Sequence, residues 1–478
     1  MQADPAIIAI SFLLYCLAFY NCYRVLGARH SPAASISWIW ANLTLPIIGV
    51  PAYWLFGMGR LKNYPGYPEP QLDKPSSPEL SNNNSAITDF SRIFSKFGNI
   101  FVPFSSEVCL LKDGTSTFSA IFEAINTGKS YILVQYYILR SDRLGLELKE
   151  LLISKAKEGL QVFLLYDDMG SFWLSKQYIR DLRLAGVHTA TFLPVFSLKR
   201  FYLMNYRNHR KLVVVDGRIA FTGGLNVGEE YAASRFGRHR YWRDTHMSIT
   251  GKSVRQLEAI FVGDWEFSTG KKILDKLVKP RTGKATNKHP TSISSFEQSI
   301  LVVPSGPYDQ TNIGMLLFMQ IIHGAKKKLW VSTPYFVPDE ALQKGLELAV
   351  LKGIDVKILL PKHSEQLLVH WVTLSYAEQM QRAGVQVYLY EKGFIHQKVI
   401  LIDEDVAFVG TSNFDNRTLY LNCELMLGVF GEDFNKQIKS MLNDDFKSAK
   451  VFTPKKDRLI RKLIRLRANG ARLLAPLL

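Results

Sequence analysis

The chain has 478 residues, more than one small hydrophobic core organises, so two or three structural units are expected. Lys and Arg outnumber Asp and Glu by 59 to 42, a net charge of +17 that calls for an anionic partner: phosphate, nucleic acid or an acidic membrane. Cys16, Cys22, Cys109 and Cys423 form no Cys-x-x-Cys pair and no Cys/His cluster, so free thiols are expected, with neither a disulfide framework nor a structural metal, and no motif in the chain calls for a cofactor.

From Pro5 to Tyr23 no side chain is charged, enough helix at about 1.5 Å per residue to cross roughly 30 Å of hydrocarbon. A second uncharged stretch, Ser31 to Gly59, carries Trp38, Trp40, Tyr53 and Trp54 as interfacial aromatics. The expectation is a transmembrane helical hairpin over residues 1–62. A cleaved signal peptide is the rival reading of the first stretch, but Met1-Gln2-Ala3-Asp4 is no basic leader and a second apolar stretch follows at once. Pro46 and Pro51 leave a kinked or re-entrant second segment as an alternative. Arg24, Arg29 and His30 on one side and Arg60 and Lys62 on the other give opposing votes on orientation, so the membrane side of the active site stays open.

Residues 63–95 are rich in Pro, Ser and Asn and read as a linker, and a second, basic linker at 276–295 divides the remainder into halves at 96–275 and 296–452. The halves repeat each other. Tyr131 to Leu139 precedes a helical pattern and the strand Gln161 to Asp168, and Leu329 to Val337 precedes another helical pattern and the strand Asp355 to Pro361. Ala185-Gly186-Val187 and Ala383-Gly384-Val385 then lead each half into a further strand. This predicts an α/β fold of two domains related by a pseudo-twofold axis, with a site at their interface.

The repeat extends to the chemistry. His209, Lys211 and Asp216 recur as His396, Lys398 and Asp403 in His-x-Lys-x-x-x-x-Asp, with Gly223 and Asn226 matched in register by Gly410 and Asn413. A lone histidine before a strand is more often a packing residue; two copies in matching context reverse that inference. Side chains at i and i+2 of a strand point alike, so imidazole and ammonium converge on one phosphate. Lysine neutralises its oxygens, Asn226 and Asn413 are candidate phosphate donors, and two histidines suit nucleophilic attack and proton transfer. Asp216 and Asp403, at the far end of their strands, suit a turn-stabilising role as readily as a catalytic one.

From about residue 100 to 450 these motifs resemble the phospholipase D superfamily. The resemblance implies a ping-pong reaction through a phosphohistidine, His209 attacking phosphorus and His396 acting as acid and base. It also implies a carboxylate against each histidine, downstream of the motif on a neighbouring strand: Asp244 in the first half and Glu424 in the second. The flanks are similar to the bacterial-type cardiolipin synthases: the two apolar stretches, Leu45 to Gly49 and Tyr53 to Gly57, Tyr241-Trp242-Arg243-Asp244, Val303 to Pro307, and Pro476-Leu477-Leu478. Gly223-Gly224 stands where many superfamily members have Gly-Ser, which suits this branch. The implied activity joins two phosphatidylglycerol molecules with release of glycerol. A membrane-bound hydrolytic phospholipase D and a nuclease or phosphodiesterase of the same fold are the alternatives. Residues 453–478 interleave Leu459, Ile460, Leu463 and Ile464 with Arg461, Lys462, Arg465 and Arg467, a basic amphipathic tail suited to anionic lipid. Phosphatidylglycerol and anionic membrane lipid are the expected partners, with no nucleic acid, at a cell membrane crossed more than once.

Overall fold

The computed structural model describes residues 4–28, 32–57, 61–69, 85–195, 203–232, 242–277, 294–364, 366–453 and 470. Arg29, His30, Arg60, Tyr241, nearly all of the basic linker and the tail beyond Thr453 apart from Gly470 lie outside them. The described chain divides into two compact units, one of residues 1–63 with 193–206 and the other holding the rest.

The smaller unit is helical. Pro5–Gly27 begins on an Asp4 cap, with Pro5 in the first turn where its missing N–H costs nothing. Among the described residues it is the one helix long and apolar enough to cross a membrane. The second apolar stretch is broken into Pro32–Thr44, Pro46–Ala52 and a π-helical turn at Tyr53–Gly57. Pro46 has no N–H to continue the first piece, so the break falls at Leu45. Asn21 donates to Asn42 at 2.8 Å and accepts from the Trp54 indole at 2.8 Å, which ties the first helix to Pro32–Thr44 and to the π-helical turn through polar side chains.

The larger unit is built on one mixed sixteen-stranded sheet. Its order runs from the edge strand Ala449–Val451 through Gln386–Tyr390, Asp355–Pro361, Lys328–Ser332, Val399–Ile402, Val406–Gly410, Asn422–Phe430, which Arg207–Asn208 also joins, and Phe296–Ser305. It continues through Phe104–Leu111, His246–Gly251, Ile219–Gly223, Leu212–Val215, Tyr131–Tyr136 and Gln161–Asp167 to His188–Phe192. The second half of the chain therefore reads inward to the junction and the first half reads outward in the matching order. The three outer strands of the repeat in each half are parallel and joined by crossover helices, those near the junction are antiparallel, and Ala449–Val451 adds an antiparallel edge strand. Leu212–Val215 and Val399–Ile402 are buried at every position, as expected of strands covered on both faces.

Part of the Pro-rich stretch is ordered. Ser85–Phe94 is a helix that buries Ile87, Phe90 and Phe94, and Tyr64 and Tyr67 pack among side chains of the larger unit. Composition registers the prolines and serines here but not the few aromatic anchors among them.

Candidate active site

Each motif histidine opens a buried strand and is followed two residues later by its lysine. His209 and His396 are 8% and 5% exposed, so both rings sit at the mouth of the core rather than on the surface. Before each histidine the chain pairs for two residues with a strand of the other half. Arg207–Asn208 runs beside Asn422 and Cys423, and Phe394–Ile395 beside Trp242 and Arg243. The His209 N–H donates to the Cys423 carbonyl at 2.9 Å and the His396 N–H to the Arg243 carbonyl at 2.8 Å.

That pairing puts the next residue of the foreign strand against the ring. His209 Nδ1 lies 3.0 Å from Glu424 Oε1 and 3.1 Å from Oε2, and His396 Nδ1 lies 2.7 Å from Asp244 Oδ2. Each histidine is thus oriented by the carboxylate of the opposite half. The downstream position of Asp244 and Glu424 in their own halves does not foretell this crossing, which the inter-strand register creates. Thr411 and Asn422 also donate to the Glu424 carboxylate. With Nδ1 engaged, Nε2 is the ring atom left for chemistry.

The lysines close the constellation. Lys211 Nζ donates to the His209 carbonyl at 2.6 Å; Lys398 Nζ lies 2.9 Å from His396 Nδ1 and 3.9 Å from Asp244. Tyr137 stands edge-on to His209 with centroids 5.0 Å apart, and Trp242 flanks His396 at 5.4 Å.

The remaining motif residues separate by role. Asp216 accepts from the backbone of Lys129, Ser130 and Tyr131 at 2.7 to 3.0 Å, and Asp403 from that of Lys326, Lys327 and Lys328. Both adopt positive φ, 56° and 51°, at the hairpin after the strand. Of the two roles the motif allowed them, this is the structural one, and it separates them from the histidine–lysine end. D216N, which keeps a side chain tolerant of that φ, is expected to cost about 1 kcal/mol in stability and leave kcat unchanged; a large drop in kcat at full folding would restore a catalytic role. Asn226 spends its amide inside the protein, accepting from Ile138 N–H at 3.1 Å and donating to Tyr231 at 2.7 Å. Asn413 is buried, and its amide oxygen has no partner among the described residues. The pair is therefore not equivalent.

The sequence family described as "Cardiolipin synthase, PLD-like domain" matches residues 121–265 and 318–446 and so takes in both motifs and both carboxylates. The chain belongs to the cardiolipin synthase family. Cardiolipin synthase A of Pseudomonas syringae pv. syringae is 40% identical over 389 residues, covering 81% of this chain and 78% of that one. Cardiolipin synthase A of Pseudomonas fluorescens is 35% identical over 98% of both chains, and the cardiolipin synthase of Alkalihalophilus pseudofirmus 36% identical over 83% of this chain and 79% of its own. A phosphatidylserine synthase from Haemophilus influenzae Rd KW20 shares the fold, with a TM-score of 0.63 at 15% identity over 82% of this chain and 99% of that one.

In this member of the cardiolipin synthase family the charges are strongly coupled. Burial drives the His209 imidazole down to about 4 against the pull of Glu424, and burial with Lys398 drives His396 to about 3. Burial raises the Asp244 carboxyl, but Lys398 and His396 outweigh it and hold the group at about 2. Both rings are therefore neutral near pH 7 before a phosphate arrives. Burial lowers Lys211 well below its ordinary value and Lys398 to about 8. A lysine with lowered pKa is charged below that value and neutral above it. KM for an anionic phosphodiester is therefore expected to rise as pH climbs through about 8, and K398R, which stays charged, to remove that rise whatever its effect on kcat. A KM independent of pH from 7 to 9.5 in the unmodified enzyme would contradict this.

Motif reading missed the residues behind the rings. Arg210 points away from His209 and holds Asp264 with Nη1 at 2.7 and 2.8 Å, all of it fully buried. Behind His396 the motif residue is Gln397, and the arginine comes instead from Arg243, paired with Asp445 at 3.0 and 3.1 Å. A signal did exist: period two turns the residue between His and Lys to the opposite face, and a charged residue there needs a buried partner.

Proposed function

We propose that the chain makes cardiolipin by moving a phosphatidyl group from one phosphatidylglycerol to a second through a phosphohistidine. The observation that carries this reading is the crossed pairing, in which each half supplies the carboxylate for the other half's histidine, so that neither half is complete alone.

In the first step His209 Nε2 attacks phosphorus, the bond from phosphorus to the glycerol oxygen breaks, and His396 delivers a proton to that oxygen. In the second, His396 takes the proton from a hydroxyl of the incoming phosphatidylglycerol as its oxygen attacks phosphorus and the phosphorus–nitrogen bond breaks. Lys211 and Lys398 neutralise the non-bridging oxygens, and because the Asn226 amide is engaged at both ends within the protein, donation to them is assigned to the amide nitrogen of Asn413. The substrate's negative charge raises the imidazole pKa values, so the acid gains its proton as the phosphodiester binds. The nucleophile is assigned to His209 on family resemblance.

Lipid as substrate is supported by exposed Met169, Phe172 and Trp173 on the loop after Gln161–Asp167. Ser171 of that loop bonds the Tyr137 carbonyl and the Leu139 N–H at 3.0 Å, which fixes the loop beside the ring that flanks His209. We read the N-terminal unit as a membrane hairpin whose second arm is kinked, clasped by Asn21, Asn42 and Trp54, and thus as a multi-pass anchor. The mirrored strand order supports a pseudo-twofold relation between the two α/β halves.

Labelled phosphatidylglycerol in mixed micelles tests the reaction. Cardiolipin and free glycerol are expected in equal amounts, with added glycerol driving cardiolipin back; phosphatidic acid as the dominant product under every lipid condition would establish a hydrolase instead.

A further inference from the structure

The two buried arginines do the same job from different positions. Arg210 Nε donates to the Glu424 carbonyl at 2.9 Å, and Arg243 Nη1 to the Asp244 carbonyl at 2.8 Å. Each guanidinium thereby grips the backbone of the residue whose carboxylate orients a histidine.

The first arginine has additional partners. Its Nη2 meets the hydroxyl of Tyr67 at 2.7 Å, the hydroxyl of Tyr308, and the Ser305 carbonyl at 3.1 Å. Tyr67 also lies with its ring 5.6 Å from the guanidinium carbon. Tyr64 donates to Asp264 at 2.8 Å and stacks on Tyr308 at 3.8 Å with planes 7° apart. Helix Ser253–Thr269 admits this segment through Gly263: a Cβ there would meet the Gly66 carbonyl at 2.6 Å, the Tyr67 ring at 3.1 Å and the Tyr64 hydroxyl at 3.2 Å. A glycine inside a helix is unfavourable by itself, and here it provides the space the tyrosines occupy.

We infer that Tyr64 and Tyr67, from the Pro-rich stretch outside the catalytic repeats, are positioning residues of the first site: they hold Arg210 and Asp264, which fix the backbone of Glu424 and so the orientation of His209. The second half uses none of this, since Arg243 and Gln397 complete Asp445 from within the repeats. The active site is thus asymmetric in its support, and the chain that leads into the first domain is part of one histidine's mounting. The inference rests on reading His209 as catalytic.

The test uses the full chain in phosphatidylglycerol micelles, with H209A as benchmark. Y67F removes one hydrogen bond to a charged group, and G263A pushes the segment away while favouring the helix. Each is expected to lower kcat about tenfold with KM unchanged, and the double variant to be no worse than either, because both act by one route. Y308F removes the neighbouring hydroxyl, which bonds both Arg210 and Tyr67, is expected to give a loss of the same size, and serves if either variant folds poorly. Wild-type kcat in folded Y67F and G263A, or a loss confined to KM or to the melting temperature, overturns the inference. Retained activity in H209A overturns the reading of His209 instead.

Discussion

H209A and H396A are each expected to abolish cardiolipin formation, with kcat falling by roughly 10⁴-fold or more, the scale seen when a member of a concerted catalytic set is removed. The two histidines share one charge cluster: Lys398 lowers the His209 pKa and Lys211 lowers that of His396, so each ring lies within the field of the other half's cation. Attack and protonation on opposite sides of one phosphorus need both. The two variants differ in a diagnostic way. With a phosphodiester whose leaving group departs without protonation, the proposed roles predict that H396A still forms a covalent phosphoenzyme and H209A forms none. Labelling of H209A but not H396A would exchange the assigned roles, and substantial turnover by either variant on phosphatidylglycerol would break the shared site.

D264A is expected to destabilise the larger unit by about 3–5 kcal/mol, because a fully buried guanidinium loses its only neutralising carboxylate among the described residues. The loss exceeds that of the hydrogen bonds alone: Asp264 also takes Gln135 at 2.7 Å and Asn208 at 2.9 Å, two donors left unsatisfied beside the ring-bearing strand. Denaturant unfolding reads the change, and a midpoint within error of the parent would refute it. The opposite half suggests its own repair. Cys423 occupies, beside His209, the position that Arg243 occupies beside His396. R210Q alone leaves Asp264 without its cation, whereas R210Q/C423R rebuilds the Gln397 and Arg243 arrangement and is expected to recover most of the lost stability.

The motif pair, its strand setting and the α/β class were legible because they depend on local spacing. His and Lys fall on one face at i and i+2, the apolar run that follows must be buried, and recurrence in a second half separates chemistry from chance. Asp216 and Asp403 were legible only in part: the spacing showed them at the strand's far end, but their φ values and backbone partners decided that they hold a turn. The second apolar stretch was visible as apolar, while its division at Leu45 depends on where Pro46 falls within a helix.

By itself the sequence determined the residue types, their repeat and their strand setting, and the class of reaction followed from the family resemblance that those motifs carry. The tertiary structure decided which carboxylate faces which histidine, which aspartate neutralises which arginine, and that tyrosines from a Pro-rich stretch meet Arg210 and Asp264. The physical reason is range. Strand periodicity is set by neighbours along the chain, whereas the pairing of Cys423 with Asn208, of Arg243 with Ile395 and of Tyr67 with Arg210 is set by inter-strand register and burial between segments that no spacing rule connects.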